Sequence, residues 1–211
     1  MLGINDLWLF VISGIALNVM PGPDSLYIIG RSATQGFKGG STASMGIAAG
    51  TFVHIFAAAF GLSAILATSA TAFTVIKILG CCYLMYVGLY MILSRKEPSK
   101  EQIKQQVMGS LTKVFYQGFL TNALNPKVAL FFLAFVPQFI AHDAPNKVLS
   151  FLFLGLIFNI NGVIWCHFLA WSSASMSRRV KQSPKVTHYM NRFAGTLFVC
   201  FGIRLALSEQ V

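Results

Sequence analysis

Six long apolar runs are the feature that most limits how this chain can fold. They occupy residues 6–30, 41–66, 70–94, 113–140, 148–174 and 188–207. A helix needs about 20 mostly apolar residues to cross a bilayer, and each run reaches that length. Only 10% of the residues are charged, whereas soluble domains carry about 25%. The sequence therefore predicts an all-α integral membrane protein with six transmembrane helices.

Lysine and arginine are concentrated in alternate gaps between these runs. The first, third and fifth gaps contain Arg31, Lys38, Arg95, Lys96, Lys100, Lys104, Lys113, Arg178, Arg179, Lys181 and Lys185. The gaps on the opposite side contain only Lys147. Because short basic loops stay in the cytoplasm, both termini are predicted to lie outside, in the periplasm. The net charge of +10 then reflects membrane orientation, and without a continuous basic patch it does not indicate nucleic acid as a partner.

The two halves of the chain share a sequence pattern. It consists of Gly14, Asn18 and Pro21 in the first helix and Gly118, Asn122 and Pro126 in the fourth. The third and sixth helices also agree, with KILGCCYLMYVG set against RFAGTLFVCFG. Since each half contains three crossings, the second half must run through the membrane in the opposite sense. We therefore predict one transporter domain, 1–211, built from inverted repeats at about 1–95 and 111–211 with a basic cytoplasmic loop between them.

Proline motifs interrupt the first and fourth helices near their middles. Pro21, Gly22 and Pro23 break the first helix, and Asn125 and Pro126 break the fourth. Proline removes a backbone donor and clashes with the preceding turn, so neither helix is expected to be continuous. Secondary transporters built from inverted repeats bind substrate near the midplane, where such discontinuous helices expose polar backbone groups. The breaks therefore predict a binding site.

Two charged residues follow these breaks, and two roles are open for each. Asp24 is the acidic residue that lies deep in a span. It either caps the half-helix that starts beside it or acts as a protonatable coupling site. Lys127 comes directly after Pro126 and either forms a structural ion pair or holds a substrate carboxylate. An empty carrier could pair the two charges and exchange that contact for substrate.

Uncharged polar residues at similar depth complete the candidate site. Asn18, Asn122 and Asn125 flank the breaks, where they either satisfy carbonyls freed by proline or contact a ligand. Asn159 belongs to the same depth class, and His54 either bonds across helices or relays protons. The full candidate set is Asp24, Lys127, Asn18, Pro21, Gly22, Pro23, Asn122, Asn125, Pro126, Asn159 and His54.

No motif in the sequence indicates an enzyme or a cofactor. The patterns GxxxxGK[ST], HExxH and GxSxG are absent, so neither nucleotide chemistry nor hydrolysis is expected. The four cysteines, Cys81, Cys82, Cys166 and Cys200, form no CxxC pair, and no metal site is predicted. An ion gradient is then the expected driving force.

Three segments resemble the LysE/RhtB family of bacterial amino-acid exporters, in particular its leucine, threonine and homoserine exporter subgroups. They are PGPDSLYIIGRSATQGFKGGSTASMGIAAG, GCCYLMYVGLYMI and LTNALNPKVALFFLAFVPQFI. The resemblance implies a multi-pass protein of the bacterial cytoplasmic (inner) membrane that exports amino acids or their derivatives. It also implies coupling to the proton motive force and a possible homodimer. Family members have Asp or Asn at the position of Asp24.

The resemblance favours a proton antiporter. Neutral amino acids are the expected cargo because one deep carboxylate is balanced by one deep lysine. Two other classes are less favoured. A membrane thiol-redox or electron-transfer protein would need a cysteine in both the first and the fourth helix, and neither helix has one. A passive small-solute channel with Asn-Pro pairs would place them in re-entrant loops rather than in full-length helices.

Overall fold

The described part of the chain is helical throughout its regular structure. The computed structural model describes residues 2–68, 110–141 and 143–175, with scattered helical positions between 71 and 93 and between 192 and 203. Within these residues the β contact is one antiparallel bridge between Ile4 and Ile140. The all-α prediction is confirmed for this part. The predicted third and sixth helices, and the glycines of their shared pattern, lie mostly outside it.

The first predicted helix is broken where the proline motif occurs. Helix α1 spans Leu7–Val19, and α2 begins at Pro23 and is assigned over Pro23–Phe56. Gly22, between the two prolines, has an extended backbone (φ −159°, ψ −174°). Pro23 lies in the first turn of α2, where a missing N–H costs nothing because that group has no intrahelical acceptor.

Helix α2 is a hairpin of two arms. Gly36 leaves the helical region (φ 67°, ψ −166°), and a methyl group built on Gly40 would overlap the Ser32 hydroxyl. In a straight helix these two residues would be about 12 Å apart, so the chain reverses at Gly36. We call 23–35 the first arm and 37–56 the second arm. The gap predicted here is therefore in the right place, but it is helical on both sides of Gly36.

The second arm continues through a π-helical segment, Ala57–Leu62, into α3, Ser63–Thr68. The fourth predicted helix is broken as expected: α4 spans Leu111–Ala123 and α5 spans Pro126–Leu130. A π-helical turn, Phe131–Phe135, and a 3₁₀ turn, Val136–Phe139, follow α5. Helix α6 spans Lys147–Ser175.

Two described helical stretches are long and apolar enough to cross a membrane on their own. They are Pro23–Ile65, with 43 residues, and Lys147–Ser175, with 29. A third crossing is obtained if α4 and the helical segment Pro126–Phe139, bent by 44° at their break, are counted as one span. A straight helix of 43 residues would be about 65 Å long, roughly twice the bilayer core. The reversal at Gly36 removes that mismatch.

Contacts between helices give their relative directions. Tyr27 bonds to Val114 and Asp24 to Asn122, so the first arm runs antiparallel to α4. A side chain on Gly14 would meet Phe158, and one on Gly162 would meet Asn18. Helix α1 therefore runs parallel to α6.

The second arm runs parallel to α4 and antiparallel to α6. A side chain on Gly46 would meet the Phe115 backbone, and one on Gly50 would meet Asn122, so these two helices are parallel. Ser41 bonds to His167 and Ile55 contacts Gly155, so the second arm is antiparallel to α6. The parallel packing of α1 on α6 thus has a counterpart in the parallel packing of α4 on the second arm.

A buried aromatic cluster lies beyond the breaks, towards Ile4 and Ile140. Its members are Phe10, Phe131, Phe132, Phe135, Phe139, Phe151 and Phe158, each at most 4% exposed. The stacked ring centroids of Phe131 and Phe158 are 4.8 Å apart, which is close packing for aromatic pairs. We call this set the phenylalanine cluster.

Replacing Gly36 with alanine should destabilise the hairpin. No atom lies within 4 Å of a methyl group at this position, so the penalty comes from the backbone alone. Its φ and ψ fall in a region that essentially only glycine adopts, at a cost of about 1–3 kcal/mol. We expect a lower thermal unfolding midpoint for the purified protein in detergent. Gly61→Ala is the matched control, since Gly61 also has open space but no positive φ. Equal midpoints for both variants would contradict this account.

Candidate functional site

The carboxylate that follows the first helix break is bound at the second. Asp24 Oδ2 accepts hydrogen bonds from Asn122 Nδ2 at 2.8 Å and from Asn125 Nδ2 at 3.1 Å. Asn122 lies in the last turn of α4, and Asn125 caps α5 by accepting from the backbone N–H of Lys127 at 3.0 Å. The two asparagines therefore connect the break in the second half directly to Asp24.

The lysine that follows the second break is bound at the first. Lys127 Nζ donates to the carbonyl oxygens of Leu17 at 3.1 Å and Met20 at 3.2 Å. These carbonyls lie at the end of α1, where the break leaves them without intrahelical donors. A cation there also suits the negative end of the helix dipole. Each break thus binds a charged side chain that follows the other break.

Asp24 and Lys127 occupy corresponding positions. Each follows a proline that stands in the first turn of a half-helix, Pro23 in α2 and Pro126 in α5. The sequence pattern matched Pro126 with Pro21, whereas the structure matches it with Pro23. Pro21 lies within the break itself. The two assignments differ because the first break is longer than the second. Spacing in the sequence does not reveal that α2 begins at Pro23 rather than at Pro21.

The two charges are held separately and each retains hydrogen-bonding capacity. Asp24 Oδ1 is buried, and no group in the described part of the chain bonds to it. An ammonium group has three N–H donors, and Lys127 uses two of them on α1. The direct ion pair that the sequence suggested is therefore not the arrangement in this structure.

A small cavity lies between the breaks. It is lined by Leu17, Asn18, Asp24, Ser25, Ser44, Ile47, Ala48, Thr51, Asn122, Lys127, Val128, Phe158, Asn159, Gly162, Val163 and Cys166. Its volume is about 30 Å³, which is room for ordered water. The cavity has charged groups of both signs and an apolar wall. A larger solute would require it to expand.

Asn122 is the best-connected of the predicted polar residues. Its amide nitrogen binds Asp24, and its side-chain oxygen accepts from Thr51 Oγ1 at 3.2 Å. His54 Nε2 donates to the Asn122 carbonyl oxygen at 2.9 Å, and the His54 ring stacks on Phe132. Of the two roles open for His54, the structure has the cross-helix hydrogen bond, and His54 does not line the cavity.

Asn18 and Asn159 both line the cavity but differ in their bonding. Asn159 Nδ2 donates to the Ala48 carbonyl oxygen at 3.3 Å. The amide nitrogen of Asn18 is buried and has no hydrogen-bond partner among the described residues. Gly22 lies beside the site, since a side chain there would meet Lys127 Nζ at 3.3 Å. Five of the eleven predicted residues line the cavity: Asn18, Asp24, Asn122, Lys127 and Asn159. Asn125 and His54 are bonded to members of this set, and Pro21, Gly22, Pro23 and Pro126 form the breaks themselves.

Sequence reasoning missed several members of the cavity wall. Ser44, Ala48 and Thr51 line it from the second arm, and their spacing of four and three residues places them on one helical face. That face of small residues was the available signal. Arg31 was assigned to a basic loop, but it is only 5% exposed and donates to Gln117 Oε1 at 2.7 Å. Its place in an apolar helix was the signal against a loop.

A family profile described as LysE type translocator matches residues 15–209. The chain belongs to this family. The leucine efflux protein of Salmonella choleraesuis (strain SC-B67) is 29% identical over 208 residues, covering 99% of this chain and 98% of the relative. That of Enterobacter sp. (strain 638) is 31% identical over 215 residues, covering 97% and 96%. An uncharacterized membrane protein of Pseudomonas aeruginosa is 29% identical over 211 residues, covering 97% and 96%. No solved structure matches the chain.

The resemblance inferred from the proline motifs is therefore confirmed. This translocator is a multi-pass membrane transporter, and its described helices are long and apolar enough for that role.

Replacing Gly50 with alanine should force the second arm of the translocator away from α4. A methyl group at Gly50 would lie 2.6 Å from the Phe119 carbonyl oxygen and 2.9 Å from Asn122 Cβ. These atoms belong to or adjoin the α4 backbone and cannot move alone, and overpacking of this kind costs about 1–3 kcal/mol. We expect a clear fall in the thermal unfolding midpoint.

The matched control for this substitution is Gly162→Ala. Its new methyl group would first meet the Asn18 side-chain oxygen, at 3.3 Å, and a side chain can shift by the few tenths of an ångström required. The midpoint of this variant should stay near that of the unmodified protein. A smaller loss for Gly50→Ala than for Gly162→Ala would refute the packing argument.

Proposed function

We propose that this chain is a secondary transporter that exports neutral amino acids from the cytoplasm in exchange for protons. The observation that carries the proposal is the cavity at the two breaks, where Asp24 and Lys127 present opposite charges. Membership of the LysE type translocators supports export. The leucine efflux proteins that resemble the chain over almost their whole length support a neutral amino acid as cargo.

The two charges match the two ends of a zwitterion. An α-amino acid has an ammonium group, which suits Asp24 Oδ1, and a carboxylate, which suits the remaining donor of Lys127. Its side chain would then lie against the apolar wall formed by Ile47, Val128 and Phe158. A cationic or anionic side chain would leave an uncompensated charge in this wall, which is costly. Neutral amino acids are therefore the preferred class.

A carboxylate that binds either a proton or a substrate ammonium group can exchange one for the other across the membrane. Asp24 would release the amino acid on the outside when it takes up a proton there. It would lose that proton on the cytoplasmic side and bind the next substrate. Because one group serves both ligands in turn, the inward movement of a proton drives the outward movement of an amino acid. This mechanism needs no cofactor or metal.

Alternating access in this proposal depends on two inverted halves. The six predicted helices would form repeats of three, with helices 1 and 4 as the broken members. The antiparallel directions of the first arm and α4, and the matched packing of α1 on α6 and of α4 on the second arm, support this arrangement. The halves would rock around the site that their breaks share.

The membrane placement follows from the basic loops. We propose a bacterial inner-membrane location with both termini in the periplasm, so that the Gly36 turn faces the cytoplasm beside Lys38. We also propose a homodimer, as the family resemblance implies.

Export should depend on the proton gradient. Purified protein would be reconstituted in liposomes, and efflux of radiolabelled leucine, threonine, alanine and lysine would be followed with an imposed pH gradient. We expect leucine, alanine and threonine to be carried faster than lysine, and a protonophore to abolish net transport against a gradient. Leucine movement that is unaffected by the protonophore would exclude antiport and point to a channel.

Neutralising either cavity charge should impair export. Asp24→Asn removes both the proton site and the charge that binds the ammonium, so we expect loss of pH-driven efflux and of leucine exchange. Lys127→Met should raise the leucine concentration needed for half-maximal exchange by at least about tenfold, since a charged hydrogen bond is lost. Asp143→Asn and Lys113→Met make the same changes at exposed positions and should transport normally. Normal coupled export by Asp24→Asn would leave Asp24 with a structural role only, through its bonds to Asn122 and Asn125.

A further inference from the structure

Three side chains connect the first arm to α4 between the cavity and the Gly36 turn. Gln117 Oε1 accepts from Arg31 at 2.7 Å and lies 3.2 Å from the Tyr27 hydroxyl. That hydroxyl also donates to the Val114 carbonyl oxygen at 2.9 Å, and the Arg31 guanidinium lies 5.4 Å from the centre of the Tyr27 ring. We call Tyr27, Arg31 and Gln117 the clasp.

The clasp continues the polar face that begins at the cavity. Tyr27 and Arg31 follow Asp24 by three and seven residues, a spacing that puts all three on one side of the first arm. Gln117 precedes Asn122 on the facing helix α4. A solute that enters the cavity from the Gly36 end along this interface must therefore pass the clasp.

The Gln117 oxygen in the clasp is an uncharged ligand of a buried cation. Arg31 is 5% exposed, and Gln117 offers it a neutral amide oxygen. A carboxylate accepts two parallel N–H bonds from a guanidinium, which adds energy and geometric specificity to the single bond that an amide oxygen accepts. The planar guanidinium is also suited to the geometry of a carboxylate. A carboxylate of an incoming solute would therefore compete with Gln117 for Arg31 and for the Tyr27 hydroxyl.

We propose that the clasp is a carboxylate-binding site in which the Gln117 amide oxygen occupies the place of the substrate's carboxylate. A substrate that arrives from the Gly36 end displaces Gln117 from Arg31, and the contact between the first arm and α4 is released. This opens the path to the cavity. The inference rests on the proposed function for its ligand, an α-amino acid, but the opening of the clasp can be tested without any transport.

Cys166 provides the readout because it lines the cavity. The full-length protein with Cys81, Cys82 and Cys200 changed to serine would be purified in detergent, and the rate of labelling of Cys166 by a charged maleimide would be measured. Gln117→Glu tethers a carboxylate beside Arg31, so labelling should be about tenfold slower. Gln117→Ala and Tyr27→Phe remove clasp bonds and should label faster. Gln138→Glu, on the same broken span but bonded to Ala134, is the matched control and should label at the starting rate.

The ligand class is tested on the same protein with isovalerate and isovaleramide, which have the same shape and differ in the carboxylate. Isovalerate at millimolar concentration should accelerate labelling severalfold, isovaleramide should not, and Gln117→Glu should abolish the acceleration. The proposal is overturned if both compounds act alike, or if Gln117→Glu labels as fast as its Gln138→Glu control. Failure of leucine export with a normal isovalerate response would refute the proposed function and leave the carboxylate site standing. Normal leucine export without an isovalerate response would refute the carboxylate site and leave the proposed function standing.

Discussion

The exchange of side chains between the two helix breaks is the interaction on which the rest of the structure depends. A break inside a membrane leaves backbone carbonyls and N–H groups that lipid cannot satisfy. Lys127 satisfies the carbonyls at the end of α1, while the asparagines of the other break hold Asp24. Each break binds a charged side chain from the other, so the two broken helices are joined at this point. The cavity is a consequence, because two interrupted helices cannot fill the space that continuous helices would occupy.

The two ends of the cavity are closed by different chemistry. Towards Ile4 and Ile140 lies the phenylalanine cluster, in which stacked and edge-on rings are closely packed. Towards Gly36 lies the clasp, which consists of a few polar bonds. A packed aromatic layer opens only if whole helices move, whereas a hydrogen-bonded contact can exchange one partner for another. In the proposed transport cycle, the solute would enter at the polar end before the helices around the phenylalanine cluster move.

The candidate site was largely predictable because its residues are costly in a membrane. Proline, aspartate, lysine and asparagine inside an apolar run each need a structural or functional reason, so Asp24, Lys127 and Asn122 could be identified from position alone. Small wall residues such as Ser44 and Gly162 carry no such penalty and were missed. Arg31 was misplaced because a charge near the end of a run is compatible with either a loop or a buried site. Its burial and its bond to Gln117 identify the buried site.

The sequence by itself determined the class of protein, the positions of the described breaks and the residues beside them, because lipid permits few local solutions for apolar runs and prolines. Only the tertiary structure decided which groups those residues bind. It matched Pro23 with Pro126, separated Asp24 from Lys127, and joined Arg31 to Gln117. These outcomes depend on contacts between segments about 85 to 110 residues apart in the chain. No local pattern encodes such contacts, since they arise from how the helices pack against one another.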